Sequence, residues 1–592
     1  MHNTGPARIH DQRRDFAADR RLLQIALIAA VIGALSTGGA AVLLHLIRFF
    51  TNLFFFQRLS FDPHSPATNT LGPLVIIVPV IGGLIIGLLA RYGSPQIRGH
   101  GIPEAIEAIL FGKSKMSPKV ALLKPLSSGI AIGSGGPFGA EGPIIMTGGA
   151  IGSLIGQYFH ISGAERKTLL VAGAVAGMTA VFGTPIAAVM LAVELLLFEL
   201  RPRSLLPVAV ACAVAGFARP FILDAGPLFP LQTAVVGPLD LLSCILAGIA
   251  CGALSWLLSS SLYKIEDLFG KLPIHWMWWP ALGGLAVGIG GYLQPRALGV
   301  GYDVIGDLLQ NQLATGVVVT LLFCKAVMWV ISLGSGTSGG VLAPLLMLGA
   351  GLGVLLGPWL PGAHPALWPL VFMAATLGGM MRAPIMSVIF AFELTHDANA
   401  LLPLLAASSV AYGFTVLTMP RSILTEKIAR RGYHIYREYG IDPMERHNVS
   451  EVMTHDMQTI AHDLAIDDAL AQYFGAQQTH RAFPVVRNGS FVGMVDRDTL
   501  ISGRRDGLAT TAGELFGANV PIMALPQETC RTVATRLAVH GLERLPVVID
   551  AQSRHLIGIV SRSDLVKPSL TLFGEEHQRE KLRRTWFGRK TR

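Results

Sequence analysis

From Leu22 to Ile47 the chain carries no Lys, Arg, Asp or Glu. A bilayer core about 30 Å thick needs roughly 20 apolar residues per helix, so this stretch alone predicts a membrane-crossing helix. Comparable apolar runs recur up to residue 420. The pattern then changes. Between Val452 and Val566, short β-branched strands alternate with helices, as in a soluble α/β protein. The periodicity thus predicts an α-helical polytopic membrane domain over 22–432, a linker over 433–450, and soluble α/β units over 451–505 and 515–570. A basic segment, 1–21, precedes them and a basic tail, 571–592, follows.

The apolar region repeats itself. Pro79, Gly82 and Gly83 return as Pro280, Gly283 and Gly284, a shift of 201 (280 − 79). Gly99 and Gly101 return as Gly299 and Gly301, and Lys124 as Lys325. Gly133-Ser134-Gly135 returns as Gly334-Ser335-Gly336, and Pro143 as Pro344. Pro185 with Glu194 returns as Pro384 with Glu393. Two homologous halves, 22–220 and 238–432, are the architecture of transporters, whose site lies where broken helices of both halves meet.

The breaks are visible as Gly-rich stretches at 99–103, 133–143, 299–301 and 334–344. Non-helical backbone at membrane depth survives only where protein buries it or a cavity borders it. Helices that begin at such breaks aim N–H groups and partial positive charge inward, which suits anions. A cation site of unwound carbonyls is the rival, and such sites usually add carboxylates. Glu141 is the one acidic residue within 133–143 or 334–344, which favours the anion.

Composition agrees with membrane residence: the 592 residues are 51% hydrophobic and 14% charged, against about 25% charged in soluble domains. Sixty-six glycines fit close helix packing and broken helices. The net charge of +9 reads as topology. Arg8, Arg13, Arg14, Arg20 and Arg21 precede an apolar run too long for a signal peptide, so the positive-inside rule places the N-terminus in the cytoplasm. Arg583, Arg584, Arg589, Lys590 and Arg592 place the C-terminus there too. No basic stripe with interleaved aromatics points to nucleic acid. Cys212, Cys244, Cys251, Cys324 and Cys530 lack metal-ligand or disulfide spacing. No nucleophile–base pair or metal-ligand cluster indicates an enzyme.

Three motifs carry a family resemblance. Gly99-His100-Gly101-Ile102-Pro103-Glu104, Gly139-Ala140-Glu141-Gly142-Pro143 and Gly340-Val341-Leu342-Ala343-Pro344 resemble, in order, the G-S-G-I-P-E, G-R-E-G-P and G-I-F-A-P motifs of CLC chloride channels and transporters. The resemblance implies the CLC fold of two inverted-topology halves, a homodimer with one pore per subunit, and chloride or another small anion as the transported ion. Glycines let backbone approach an ion, and Pro143 and Pro344 suit a first helical turn. Glu141 resembles the family's gating glutamate, a carboxylate that competes with the anion for one positive site and leaves it when protonated. The alternative is that Glu141 caps the helix following it.

Several positions depart from the family. His100 replaces the central serine, Leu424 in Ser422-Ile423-Leu424-Thr425 replaces a tyrosine, and Leu342 replaces the phenylalanine of the third motif. The remaining anion ligands are N–H groups near Ile102, Val341 and Leu342, with His100 either a ligand or a neutral space-filling imidazole bonded to a carbonyl. Exchangers of the family carry an inner acid where this chain has Leu195. Glu199, four residues on, is the nearby substitute. Glu194, repeated as Glu393, reads as structural.

In the tail, Phe483-Pro484-Val485-Val486 with Gly493-Met494-Val495-Asp496, and Leu545-Pro546-Val547-Val548 with Gly558-Ile559-Val560-Ser561, resemble a tandem of CBS domains. Ser561-Arg562-Ser563-Asp564 fits the Ser/Thr-x-x-Asp with which such pairs bind adenosine; Asp496-Arg497-Asp498-Thr499 does not. Ser561 and Asp564 are therefore candidate ligands of ATP, ADP or AMP, against a purely structural dimerisation module. The combined reading is a multi-pass protein of the inner (plasma) membrane that passes chloride through a channel-like pore gated by Glu141, with voltage and pH dependence and no required cofactor. A coupled chloride/proton antiporter is one alternative. A nucleotide-responsive membrane sensor with an inactive pore is another.

Overall fold

The computed structural model describes residues 20–570, apart from 160, 224–225, 362–364, 434, 436–441, 476–477, 479, 508 and 518–520. Most of the basic N-terminal segment, all of the basic tail and part of the linker lie outside the described residues. Two compact units divide between residues 437 and 438.

The membrane unit is built twice over. Its first half comprises α1 (Arg21–Phe56), α2 (Ile77–Tyr92), α3 (Ile102–Leu110), α4 (Pro118–Gly133), α5 (Glu141–Tyr158), α6 (Gly163–Phe182), α7 (Pro185–Leu191) and α8 (Pro202–Ile222). The second comprises α9 (Pro238–Gly270), α10 (Trp279–Leu293), α11 (Tyr302–Leu309), α12 (Thr315–Gly334), α13 (Leu342–Leu356), α14 (Leu367–Met381), α15 (Pro384–Thr395) and α16 (Leu401–Thr418), and α17 (Ile423–Arg430) follows. Among the described residues, seven helical segments are long and apolar enough to cross a membrane. Others, such as α3 and α11, are short and begin at the Gly-rich breaks. On α1 the exposed residues Leu23, Leu27, Val31 and Leu35 recur every fourth position, a stripe made for lipid rather than water.

The halves interlock through equivalent atoms. Gly139 and Gly340, related by the repeat, pair as an antiparallel bridge with N–H···O distances of 3.4 and 2.9 Å. Equivalent segments can run antiparallel to each other only about a two-fold axis, which is the inverted relation the repeat predicts. A Cβ on Gly83 would overlap the carbonyl of Pro280, and one on Gly284 the carbonyl of Pro79, so α2 and α10 cross backbone to backbone. Lys124 and Lys325, both wholly buried, act alike. Lys124 Nζ donates to the carbonyls of Ile97 (2.8 Å) and Gly99 (2.9 Å), and Lys325 Nζ to those of Ala297 (3.1 Å) and Gly299 (2.8 Å). Each lysine thus holds the broken loop before α3 or α11.

Glu194 and Glu393 cap each other's halves. The Glu393 carboxylate accepts the N–H groups of Ile186 (3.0 Å) and Ala187 (2.8 Å) at the start of α7, and Glu194 accepts that of Met386 (3.0 Å) at the start of α15. Proline opens both helices, so few N–H groups remain to be satisfied, and these carboxylates serve them.

The soluble unit holds two hairpins. β1 (Ile460–Ala461), β2 (Ala482–Arg487) and β3 (Ser490–Asp496) form one sheet, with β2 and β3 antiparallel; β4 (Arg544–Val548) and β5 (Leu556–Ser561) form the other. Val485 opposes Gly493 and its counterpart Val547 opposes Gly558, so the two sequence units are two copies of one hairpin.

Replacing Glu393 by alanine leaves the N–H groups of Ile186 and Ala187 without their acceptor inside the membrane unit. The expected cost is about 1–3 kcal/mol for each unsatisfied donor. Thermal unfolding of the purified protein in detergent should show a lower midpoint, and an unchanged midpoint would remove the capping role.

Candidate functional site

The breaks converge on one buried region. α3, α5 and α13 all start there, and the chain returns to α3 at α17. Gly101 stands at φ +92° before α3, where a side chain would strike the carbonyl of Gly142. A Cβ on Gly142 would in turn strike the carbonyl of His100. These two glycines let the starts of α3 and α5 touch.

Glu141 is wholly buried at the first position of α5. Its Oε1 accepts the backbone N–H of Leu342, at the start of α13 in the other half. Side chains on Gly139 or Gly340 would occupy the carboxylate's position, which accounts for both glycines. Oε2 has no partner. The carboxylate therefore takes the place that a free anion would take at a helix N-terminus, and its hydrogen bond runs across to α13 rather than capping its own helix.

The N–H groups expected to bind an anion are not all available. The N–H of Gly101 donates to Glu104 Oε2 at 3.0 Å, so the break before α3 is partly satisfied by its own third residue. Glu104 Oε1 pairs with Lys427 of α17 at 2.8 Å. Gly101 thus serves by its backbone shape, and Ile102, Pro103, Val341 and Leu342 remain as the helix starts beside it, all buried. Leu424, also fully buried, is the second residue of α17, and the hydroxyl of Tyr263 donates to the carbonyl of its neighbour Ile423.

His100 is 3% exposed, and neither ring nitrogen has a hydrogen-bond partner. A spacer imidazole bonded to a carbonyl is therefore not what the structure contains. The residue lines a cavity of about 540 Å³ with Arg98, Glu104, Met146, Tyr263 and Lys427. Glu141, Leu342 and Leu424 lie beyond its walls. Sequence reasoning missed Arg98, Tyr263 and Lys427. Lys427 was within reach, one turn after Leu424 on a short amphipathic helix, whereas Tyr263 sits on a distant helix with no local signal.

The inner-acid position behaves differently from a regular helix. After α7 the chain continues as a π-helical turn over Ala192–Leu197, and Phe198 at φ +53° ends it. Glu199 therefore lies beyond the helix end and does not share a helical face with Leu195. Leu195 is buried, and Glu199 lies 3.9 Å from Lys167 and 3.7 Å from Arg201.

In the soluble unit Ser561 and Asp564 bond mainly to each other. Ser561 Oγ donates to Asp564 Oδ2 (2.6 Å), which also accepts the Ser561 N–H (2.9 Å), and Lys567 holds Oδ1 (2.6 Å). This closes a capping box on Arg562–Leu565. The unit's cavity, about 830 Å³, lies elsewhere: it is lined by His480, Arg481, Asp496, Arg497 and Arg544, and by neither Ser561 nor Asp564. The cavity thus adjoins the strand end that lacks the Ser-x-x-Asp pattern.

The model of the family described as voltage gated chloride channel matches residues 82–416, and the CBS domain model matches 449–505 and 518–570. A relative described as a putative chloride channel protein ClcB-like, from Ralstonia nicotianae, is 30% identical over 366 residues, covering 60% of this chain and 85% of its own. An H(+)/Cl(-) exchange transporter ClcA from Salmonella paratyphi A is 26% identical over 412 residues, covering 66% and 85%. Among solved structures, a slow cyanobacterial Cl-/H+ antiporter superposes with a TM-score of 0.60 at 23% identity, covering 70% of this chain and 98% of its own.

Burial opposes the charge of Asp564, but hydrogen bonds from Lys567 and Ser561 prevail and hold its carboxyl below the usual aspartate range. A depressed folded value means the cap stabilises fully above the ordinary aspartate pKa and fades as pH falls through the folded one. Asp564→Ala should therefore speed amide hydrogen exchange across 561–565 at neutral pH, with the difference from wild type shrinking in acid. Equal exchange at neutral pH would contradict the cap.

Proposed function

The chain belongs to the voltage-gated chloride channel (CLC) family, and from that premise we propose that it conducts chloride passively through a pore gated by Glu141. Anion transport is the activity of the family. The finer reading rests on one observation: the Glu141 carboxylate accepts the N–H of Leu342 at the start of α13, where an anion would otherwise be held. Charge competition follows. Ionised, the carboxylate fills the positive helix start; neutralised, it loses that attraction and yields to chloride. His100, Ile102, Val341 and Leu342 then flank the ion, with His100 a neutral or charged donor in place of a hydroxyl. The protein is read as a homodimer in the plasma membrane, with both termini cytoplasmic and one pore per subunit. The CBS pair is read as a regulatory unit for adenine nucleotide, held at the cavity beside Asp496 and Arg544 rather than at Ser561 and Asp564.

Glu141→Gln keeps the shape of the side chain and removes its titration. Anion flux from liposomes containing this variant should equal or exceed that of the wild type and should lose its pH dependence. A wild-type pH response in the variant would dismiss Glu141 as the gate.

Proton coupling separates the channel from the antiporter. Leu195 carries no proton, and Glu199 is held between cations outside the helix. A chloride gradient imposed on proteoliposomes should therefore drive no uphill proton movement. If protons do move uphill, the antiporter reading replaces the channel, and loss of that movement in Glu199→Gln would identify the carrier.

A further inference from the structure

Arg98, one residue before the first break, lines the same cavity as His100. Its guanidinium lies over the ring of Trp276, 4.5 Å from the centroid, and 5.8 Å from that of Trp279. It packs against Gly336 of the other half, where a Cβ would come within 2.8 Å of Nη2. Its backbone N–H donates to the carbonyl of Pro95, but among the described residues its guanidinium makes no hydrogen bond and no ion pair, and its Nε is buried without a partner.

Of the other cations on this lining, exposed Lys115 has no ion pair among the described residues, whereas the rest are matched. Lys427 pairs with Glu104 at 2.8 Å, Arg431 reaches Glu104 and Glu107, and Arg430 is held by Asp267 and Glu426. The carboxylates that act on Arg98 electrostatically are Glu266 and Glu104, and Glu104 is already engaged. Stacking on tryptophan steadies the cation through the ring face but uses none of its five N–H donors. Arg98 is half-buried, and its buried Nε gains from a ligand that supplies an acceptor. His100, whose ring nitrogens are also without partners among the described residues, lines the same cavity.

We propose that Arg98, stacked on Trp276, is an anion-capture site that loads small anions into this cavity ahead of His100. The proposal rests on the transport reading above and adds the residue that sets apparent affinity from this side. A planar guanidinium fork meets a planar oxyanion through two parallel hydrogen bonds, whereas a halide gains only the charge. Nitrate should therefore depend on Arg98 more than chloride does.

The test uses the full-length protein in liposomes, with chloride and nitrate fluxes measured across a range of anion concentrations. Arg98→Gln should raise the half-saturating concentration about tenfold, the size of one charge-assisted hydrogen bond, while maximal flux is retained. Arg98→Lys keeps the charge and loses the fork, so it should lower the nitrate-to-chloride ratio. Half-saturation unchanged in Arg98→Gln overturns the capture site, with Glu141 gating untouched. If Arg98→Gln fails to assemble, Arg98→Lys decides, and an unchanged nitrate-to-chloride ratio overturns the proposal. Wild-type protein with no anion flux overturns the transport reading and this site together. Nitrate titrated calorimetrically into detergent-purified protein gives a readout independent of flux: heat present in wild type and lost in Arg98→Gln supports the site, and equal heats overturn it.

Discussion

The N–H of Leu342, buried at the start of α13, must find an acceptor, because no water reaches it inside the membrane unit. In this structure the acceptor is a carboxylate from the other half of the chain. Much else follows from that bond. The two halves must approach about a two-fold axis so that Gly139 and Gly340 can pair, and neither position has room for a side chain. The breaks must be held open, and Lys124 and Lys325 do so from buried positions by bonding the loop carbonyls. Helix starts that face no anion are closed permanently by fixed carboxylates, Glu393 and Glu194 on α7 and α15 and Glu104 on Gly101.

Fixed and exchangeable carboxylates differ in their surroundings. Glu393 spends both oxygens on two N–H groups, and Glu104 is tied to Gly101 and Lys427. Glu141 bonds the N–H of Leu342 through Oε1, and among the described residues its Oε2 has no partner. Its bond, like those of Glu393 and Glu194, reaches a helix start in the other half.

Much of this was legible in the chain itself. The shift of about 200 residues between Gly99 and Gly299, or Lys124 and Lys325, reports a relation between halves that the backbone then obeys atom for atom. Gly139, Glu141 and Gly340 were legible because close approach admits so few residue types. Other features have no local signature. The π-helical turn at Ala192–Leu197 defeats any helical-wheel argument about Leu195 and Glu199. That Gly101's N–H is spent on Glu104 is a capping question, visible in the spacing but hidden behind the anion reading. Ser561 and Asp564 match a ligand-binding pattern, yet the same spacing is that of a capping box, and here the cap claims both side chains.

The family departures form a connected set. Losing the serine hydroxyl at His100 and the tyrosine hydroxyl at Leu424 removes two neutral donors from the pore. What lines the cavity instead is an imidazole with both nitrogens unmet and an arginine whose guanidinium has no hydrogen bond or ion pair among the described residues. A neutral hydroxyl binds an ion only at contact distance, whereas a cation attracts it across the cavity, where low-dielectric walls extend its reach. On the proposed reading, capture by charge takes the place of close hydroxyl contacts. The same shift explains why Lys427, Arg430 and Arg431 are each matched by carboxylates. Left unpaired beside Arg98, they would hold an anion too strongly for it to move on, and conduction requires binding weak enough to release.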